Sequence, residues 1–283
     1  MTALSRRSLP ILGLIPVLVL LAGLHAADDR SPVWKGFLSR AQSKALADLA
    51  GARLDAQLKL LESGKLDDDD RARALARSRV VTLLMAAYVQ SETKADRVQA
   101  ARRDQLLSLD KALRGGDVKQ ARALFTRLGG PGGAGDADPT PRDLHDPKDR
   151  EDLVTILMKQ YKTRDFGGLG VEPRPKDDHL DGIEALLRVL AARPIDAPKL
   201  KPEELARLAD QSAVMAQWMR SLCPEKTVRD RTPEKWRQYC DELRDASLEL
   251  ARAARDNKAE QVRAAARKVN DNCAACHRTF RGR

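Results

Sequence analysis

The C-terminal segment of this chain can fold in only one way. Val262, Ala266, Val269, Cys273, Cys276 and Phe280 recur at alternating spacings of four and three residues. That step lines successive side chains along one stripe of an α-helix, whereas a strand would scatter them over both of its faces. Two cysteines one helical turn apart are therefore committed to an apolar face. Whatever they do is done inside a packed helical assembly. The same period recurs at Trp34–Ser63, Asp70–Ser91, Lys94–Arg114, Asp117–Leu128, Asp149–Thr163, Asp181–Ala192, Lys201–Leu222 and Pro233–Arg255. Thr232 before Pro233 is a helix start, a hydroxyl cap followed by proline in the first turn. Runs of β-branched and aromatic residues are nearly absent, and aromatics make up only 4% of the chain. The pattern predicts an all-α fold of two tandem antiparallel helical bundles with short connections.

Four segments follow. Residues 1–26 have the anatomy of an export signal. Arg6 and Arg7 precede the uncharged run Leu9–Leu24, and small residues around Ala26 offer a cleavage site. The run falls short of the roughly 20 apolar residues of a membrane span, so an uncleaved anchor is the lesser reading. Ser5-Arg6-Arg7-Ser8-Leu9 partly looks like a twin-arginine signal, but the general secretory route suits the cofactor chemistry below better. The expected location is periplasmic. Residues 27–128 read as a first bundle, and 129–177 as a Gly/Pro-rich linker with one short helix. Residues 178–283 read as a second bundle. The two look alike: sliding Leu107–Leu128 onto Leu248–Val269 pairs Leu107, Leu109, Ala112, Arg114, Gln120, Arg122 and Ala123 with identical residues, 7 of 22 positions, a likeness that a repeat or convergent Ala/Leu/Arg-rich composition would give.

The net charge of +10 invites a nucleic-acid reading. The positives, however, alternate with 41 acids and form no block with interleaved aromatics, which is the pattern of solvated helix faces. No nucleic acid is expected as a partner, and no membrane once the signal is removed. No Ser/His/Asp or paired-carboxylate spacing stands out, so an enzyme is not expected.

Cys273-Ala274-Ala275-Cys276-His277 carries the chemistry. Cys-x-x-Cys-His is the attachment pattern of c-type haem. Thiols one turn apart each reach one vinyl group of the porphyrin, and the adjacent imidazole faces the iron. A thioredoxin-like pair needs a preceding strand, whereas here a helix precedes it. A zinc site needs more ligands than the remaining Cys223, Cys240, His145 and His179 offer at close spacing. A simple disulfide is the third alternative. The small Ala264, Ala265 and Ala266 either leave room for a flat macrocycle or serve as plain helix formers. Cys223 and Cys240 fall where antiparallel helices bring them together, as a disulfide or as two buried thiols.

With its attachment motif at the C-terminus, on the last helix of a four-helix unit, the region from about Asp178 to Arg283 resembles the class II c-type cytochromes, cytochrome c′ and its low-spin relatives. Their motif continues to an aromatic and an arginine, here Phe280 and Arg281, and Trp236 sits where the family often carries a tryptophan. The resemblance implies Cys273 and Cys276 as the covalent anchors of haem c and His277 as the proximal iron ligand. It places Phe280 and Arg281 near the haem. It implies one-electron transfer with a redox partner protein or, alternatively, a gas-binding haem with an open sixth site, and it allows a homodimer. A structural or interaction protein with the haem as a staple is a further alternative. The first bundle has Gly132 where Cys273 stands and Asp136 where His277 stands, so a single haem is expected. For the sixth position, the segment after Asp181 holds no methionine. The readings are an empty site lined by Leu186, Leu187 or Leu190, with His179 as a distal candidate and Met215, Met219 and Met158 more remote. Lys162, Arg164, Arg174 and Lys176 are candidate partners of the haem propionates.

Overall fold

The structure, a computed structural model, describes residues 34, 36–94, 96–129, 137–166, 168, 170–171, 174–192 and 200–281. The expected export signal at 1–26 and most of the glycine run after Gly129 lie outside the described residues. So does part of the glycine turn near Gly168. The described residues form an all-α fold with nine α-helices. None of these helices is long and apolar enough to cross a membrane.

The first four helices are α1 (Arg40–Glu62), α2 (Asp68–Gln90), α3 (Arg97–Arg114) and α4 (Val118–Leu128). α1 packs on α2, α2 on α3, α3 on α4, and α4 returns to α1. Their starts are written in the sequence. Ser39, Asp67, Asp96 and Asp117 each accept a hydrogen bond from a backbone N–H one turn ahead, satisfying donors that a helix leaves unpaired. Helix periodicity extends back to Trp34, but α1 begins at Arg40 because the chain before it runs alongside the end of α2. There Phe37 and Leu38 both donate to the Ser91 carbonyl at 2.8 Å. Gly36 permits this approach, since a Cβ there would lie 2.3 Å from the Glu92 carbonyl oxygen.

α5 (Arg150–Gln160) follows, then α6 (Ile183–Ala192), α7 (Pro202–Ser221), α8 (Pro233–Arg255) and α9 (Ala259–Phe280). α7 packs on α8, α8 on α9 and α9 on α6. One continuous apolar core joins both sets of helices, from Leu46 and Leu83 through Leu157 to Trp218 and Val269. Residues Pro32–Arg283 are one compact unit.

The internal repeat has a structural counterpart. α3 ends with Gly116 at φ 72 and α8 ends with Asn257 at φ 53. Gly116 N–H donates to Leu113 and Asp117 N–H to Ala112; Asn257 N–H donates to Ala254 and Lys258 N–H to Ala253. Both are Schellman caps, in which a left-handed residue lets two amides fold back onto the last carbonyls. They fall at the same register offset that aligns the two sequences.

Candidate haem site

α9 places the motif side chains. Its buried stripe continues from Ala266 and Val269, both fully buried, to the half-buried Cys273, Cys276 and His277. These three side chains open onto a cavity of about 450 Å³, within the size range of small-molecule sites. α8 supplies Trp236, Tyr239, Cys240 and Leu243 to its wall, and α7 supplies Met219. α5 contributes Val154, Thr155, Met158 and Lys159, with Tyr161 and Lys162 just beyond its end. Phe280 and Arg281 complete the side formed by α9.

Aromatic contacts hold the last turn of α9. Phe280 meets Trp236 edge to face, and meets Tyr239 in the same way at 6.3 Å between ring centroids. The Tyr239 hydroxyl is 3.2 Å from Thr279 Oγ1, and Arg231 Nε donates to the Thr279 carbonyl at 3.0 Å. Two turns back, Asn272 donates to Glu242 at 2.9 Å. The motif therefore stands on a helix fixed along its length, which holds its side chains in place once the bundle has closed.

Burial sets the electrostatics. It pushes the Cys273 thiol up to about 12, and the thiol up to about 11 at Cys276. It also holds His277 below its ordinary value, with Arg281 and Lys162 acting in the same direction and Glu184 opposing. Low dielectric disfavours every charged form, so the site presents two neutral thiols and a neutral imidazole. A neutral imidazole is the form that ligates iron. Glu184 is the one carboxylate among the described lining residues. It is paired with Lys162, and it accepts from Arg188 at 3.1 Å.

The donor set fits a covalently held haem: two thiols one turn apart, an adjacent imidazole, and an apolar cavity bounded by aromatic and thioether side chains. Among the described residues, no group of three or more His, Cys, Asp or Glu comes together as a metal cluster. All four cysteines are free thiols; Cys223 lies 3.7 Å from an Arg237 donor, and Cys240 is buried in the cavity wall.

The remaining expected site residues are dispersed. His179 does not reach the cavity. It is exposed in a 3-10 turn, Asp178–Leu180, whose start Asp177 caps by accepting from the His179 amide. Leu186, Leu187 and Leu190 are buried on α6, but they face the core and are not cavity-lining. Met215 is fully buried away from the site, whereas Met219 lines it. Of the four candidate propionate partners only Lys162 lines the cavity, and it is bound to Glu184. Ala265 and Ala266 are buried in helix packing rather than on the cavity. The face presented by α5 was not legible from local spacing. Its only trace in the sequence is the lone Met158 on a short helix far from the motif.

A comparison with protein-family models matches residues 196–281 to the family described as cytochrome c′. The matched stretch takes in α7, α8 and α9 with the whole Cys-x-x-Cys-His motif, so this part of the chain is similar to the class II c-type cytochromes. Helices α1 to α6 lie outside the match. No curated protein and no solved structure gives a match to the chain.

Proposed function

We propose that the protein is an exported c-type cytochrome that holds one haem covalently and works in one-electron transfer with a partner protein. One observation carries the reading: Cys273, Cys276 and His277 open together onto a single apolar cavity of about 450 Å³. Each thiol would add its S–H across one vinyl double bond, sulfur to one carbon and hydrogen to the other. The step balances without an oxidant. His277 would hold the proximal side of the iron. When bound, the haem supplies a one-electron change of oxidation state, and the chain sets its ligation and its access to water.

Electron transfer is favoured over gas binding by the walls of the cavity. Met158 on α5 and Met219 on α7 both bring thioethers to it, and a sulfur ligand at the sixth position limits rearrangement on electron transfer. A carrier is favoured over an enzyme because Glu184, the carboxylate on the wall, is engaged by Lys162 and Arg188. It is therefore not available as a general acid or base.

The test is a pyridine haemochrome assay after acid-acetone extraction, with oxidised and reduced spectra of the intact protein. One covalent haem with sharp reduced bands that resist carbon monoxide is expected. Failure to retain haem through extraction would overturn the attachment. A broad reduced band that shifts at once under carbon monoxide would replace electron transfer with gas binding.

A further inference from the structure

α5 belongs to both halves of the molecule. Leu153, Leu157 and Gln160 are buried on one face, toward α2 and α7. Val154, Met158 and Lys159 line the cavity with the other face. The helix is thus a partition, and a tilt of it moves the cavity wall.

Its two ends are anchored to different bundles. At its C-terminus the Tyr161 hydroxyl donates to the Ser212 carbonyl of α7 at 3.3 Å. At its start Asp149 holds the capping position, but its side chain makes no capping bond. The carboxylate accepts instead from Arg79 of α2 at 2.9 Å and forms an ion pair with Arg114 of α3 at 2.8 Å. Arg79 also donates to the buried Asp110 at 3.0 Å, and Arg114 to Asp146 at 3.1 Å. Asp146 caps the short turn Pro147–Asp149 from which α5 springs. Two guanidinium groups of the first bundle therefore hold both ends of that turn. An aspartate used as an ordinary cap would stabilise its own helix. Here that role is given up for a fixed position relative to α2 and α3.

We infer that the first bundle is a positioning device for the haem site. Arg79 and Arg114, acting through Asp149, set where α5 holds Met158 against the cavity. The part that concerns haem rests on the proposed function; the placement of the wall does not.

The test uses the full chain carrying Asp149→Asn, which keeps the shape of the side chain and leaves the Arg79–Asp110 pair intact. Arg114→Gln serves as a second variant on a more exposed residue. Glu62→Gln is the control, because its pair with Arg122 ties α1 to α4 and touches no part of α5. Before haem attachment, alkylation of Cys240 and Cys276 under native conditions should speed up roughly threefold or more in the Asp149 and Arg114 variants, as local opening of the wall requires, and stay unchanged in the control. In the loaded protein, carbon monoxide association with reduced iron should rise by a similar factor. Adding Met158→Leu to both the parent chain and the Asp149→Asn variant should abolish that difference between them. A clamp that only stabilised the fold would lower the unfolding midpoint and leave both rates unmoved, and that result overturns the inference. If the protein proves to hold no covalent haem, the cofactor reading falls while the thiol rates still decide the position of the wall.

Discussion

Trp236 stands edge-on to Phe280, with ring centroids 5.1 Å apart and planes at 82°, while its indole N–H donates to the Met219 carbonyl at 2.7 Å. One residue at the start of α8 thereby ties the last turn of α9 to the end of α7, at the rim of the cavity. Phe280→Ala should cost about 2 kcal/mol, below the usual range for a buried aromatic because the ring is half-buried. Trp236→Phe should cost only about 1 kcal/mol, since Leu222 N–H still donates to the Met219 carbonyl. Urea unfolding should show both as shifts in midpoint at constant slope.

The three motif residues have separable roles. Cys273→Ser together with Cys276→Ser should abolish haem retained through acid-acetone extraction. His277→Ala should keep the covalent haem and change its spectrum, because attachment and ligation use different atoms. Mass spectrometry and absorption on the same samples check both outcomes. Equal loss of haem from both variants would show that the roles are not separable.

Thiol reactivity should report the order of attachment and folding. Burial raises the Cys273 thiol to about 12 and that of Cys276 to about 11, so at pH 8 the folded, unloaded chain holds little thiolate. The thiolate is the reacting form. Alkylation should be slow in buffer and faster by about a hundredfold or more in urea. That contrast fits attachment before the bundle closes.

Asp210 is a buried carboxylate on α7, 2% exposed, bonded to Arg255 of α8 and accepting from Gln42 of α1 at 3.1 Å. Burial nonetheless raises its affinity for a proton, against the pull of Arg255. Removing one partner of a buried pair costs roughly 3–5 kcal/mol. Arg255→Met, with Gln42 remaining, should fall at the low end of that range. Arg255→Met with Asp210→Asn should recover part of the loss, measured as a double-mutant cycle.

His145 gives a pH signature. Burial holds its imidazole below the ordinary 6.5, outweighing nearby Asp143. As pH falls, the unfolded chain takes up the proton first. The contribution of this residue is therefore complete above 6.5 and is lost as pH drops through that value toward the lower folded one. Melting temperature should decline from pH 7 to pH 5, and His145→Gln should flatten that part of the profile.

Local pattern was enough for much of the molecule. The stripe from Val262 to Phe280, the cap at Thr232, and the adjacency of Cys276 and His277 are all matters of neighbours within one or two turns. Helix starts, buried faces and the attachment motif follow from them, because hydrogen bonding and side-chain direction in a helix repeat every few residues. The Schellman turns at Gly116 and Asn257 repeat because the sequences around them do.

What lies across the cavity from the motif is a different kind of question. Nothing near Met158 announces that it lines the same cavity as Cys273. Asp149 reads only as the start of a helix until Arg79 and Arg114 are brought against it from helices far earlier in the chain. Such pairings depend on how whole helices stack and tilt, which is set by the summed fit of the core rather than by local spacing. The helices and the chemistry on one wall of the cavity were legible residue by residue. What stands opposite that wall came from packing alone, because side chains distant in sequence meet there only when the helices that carry them come together.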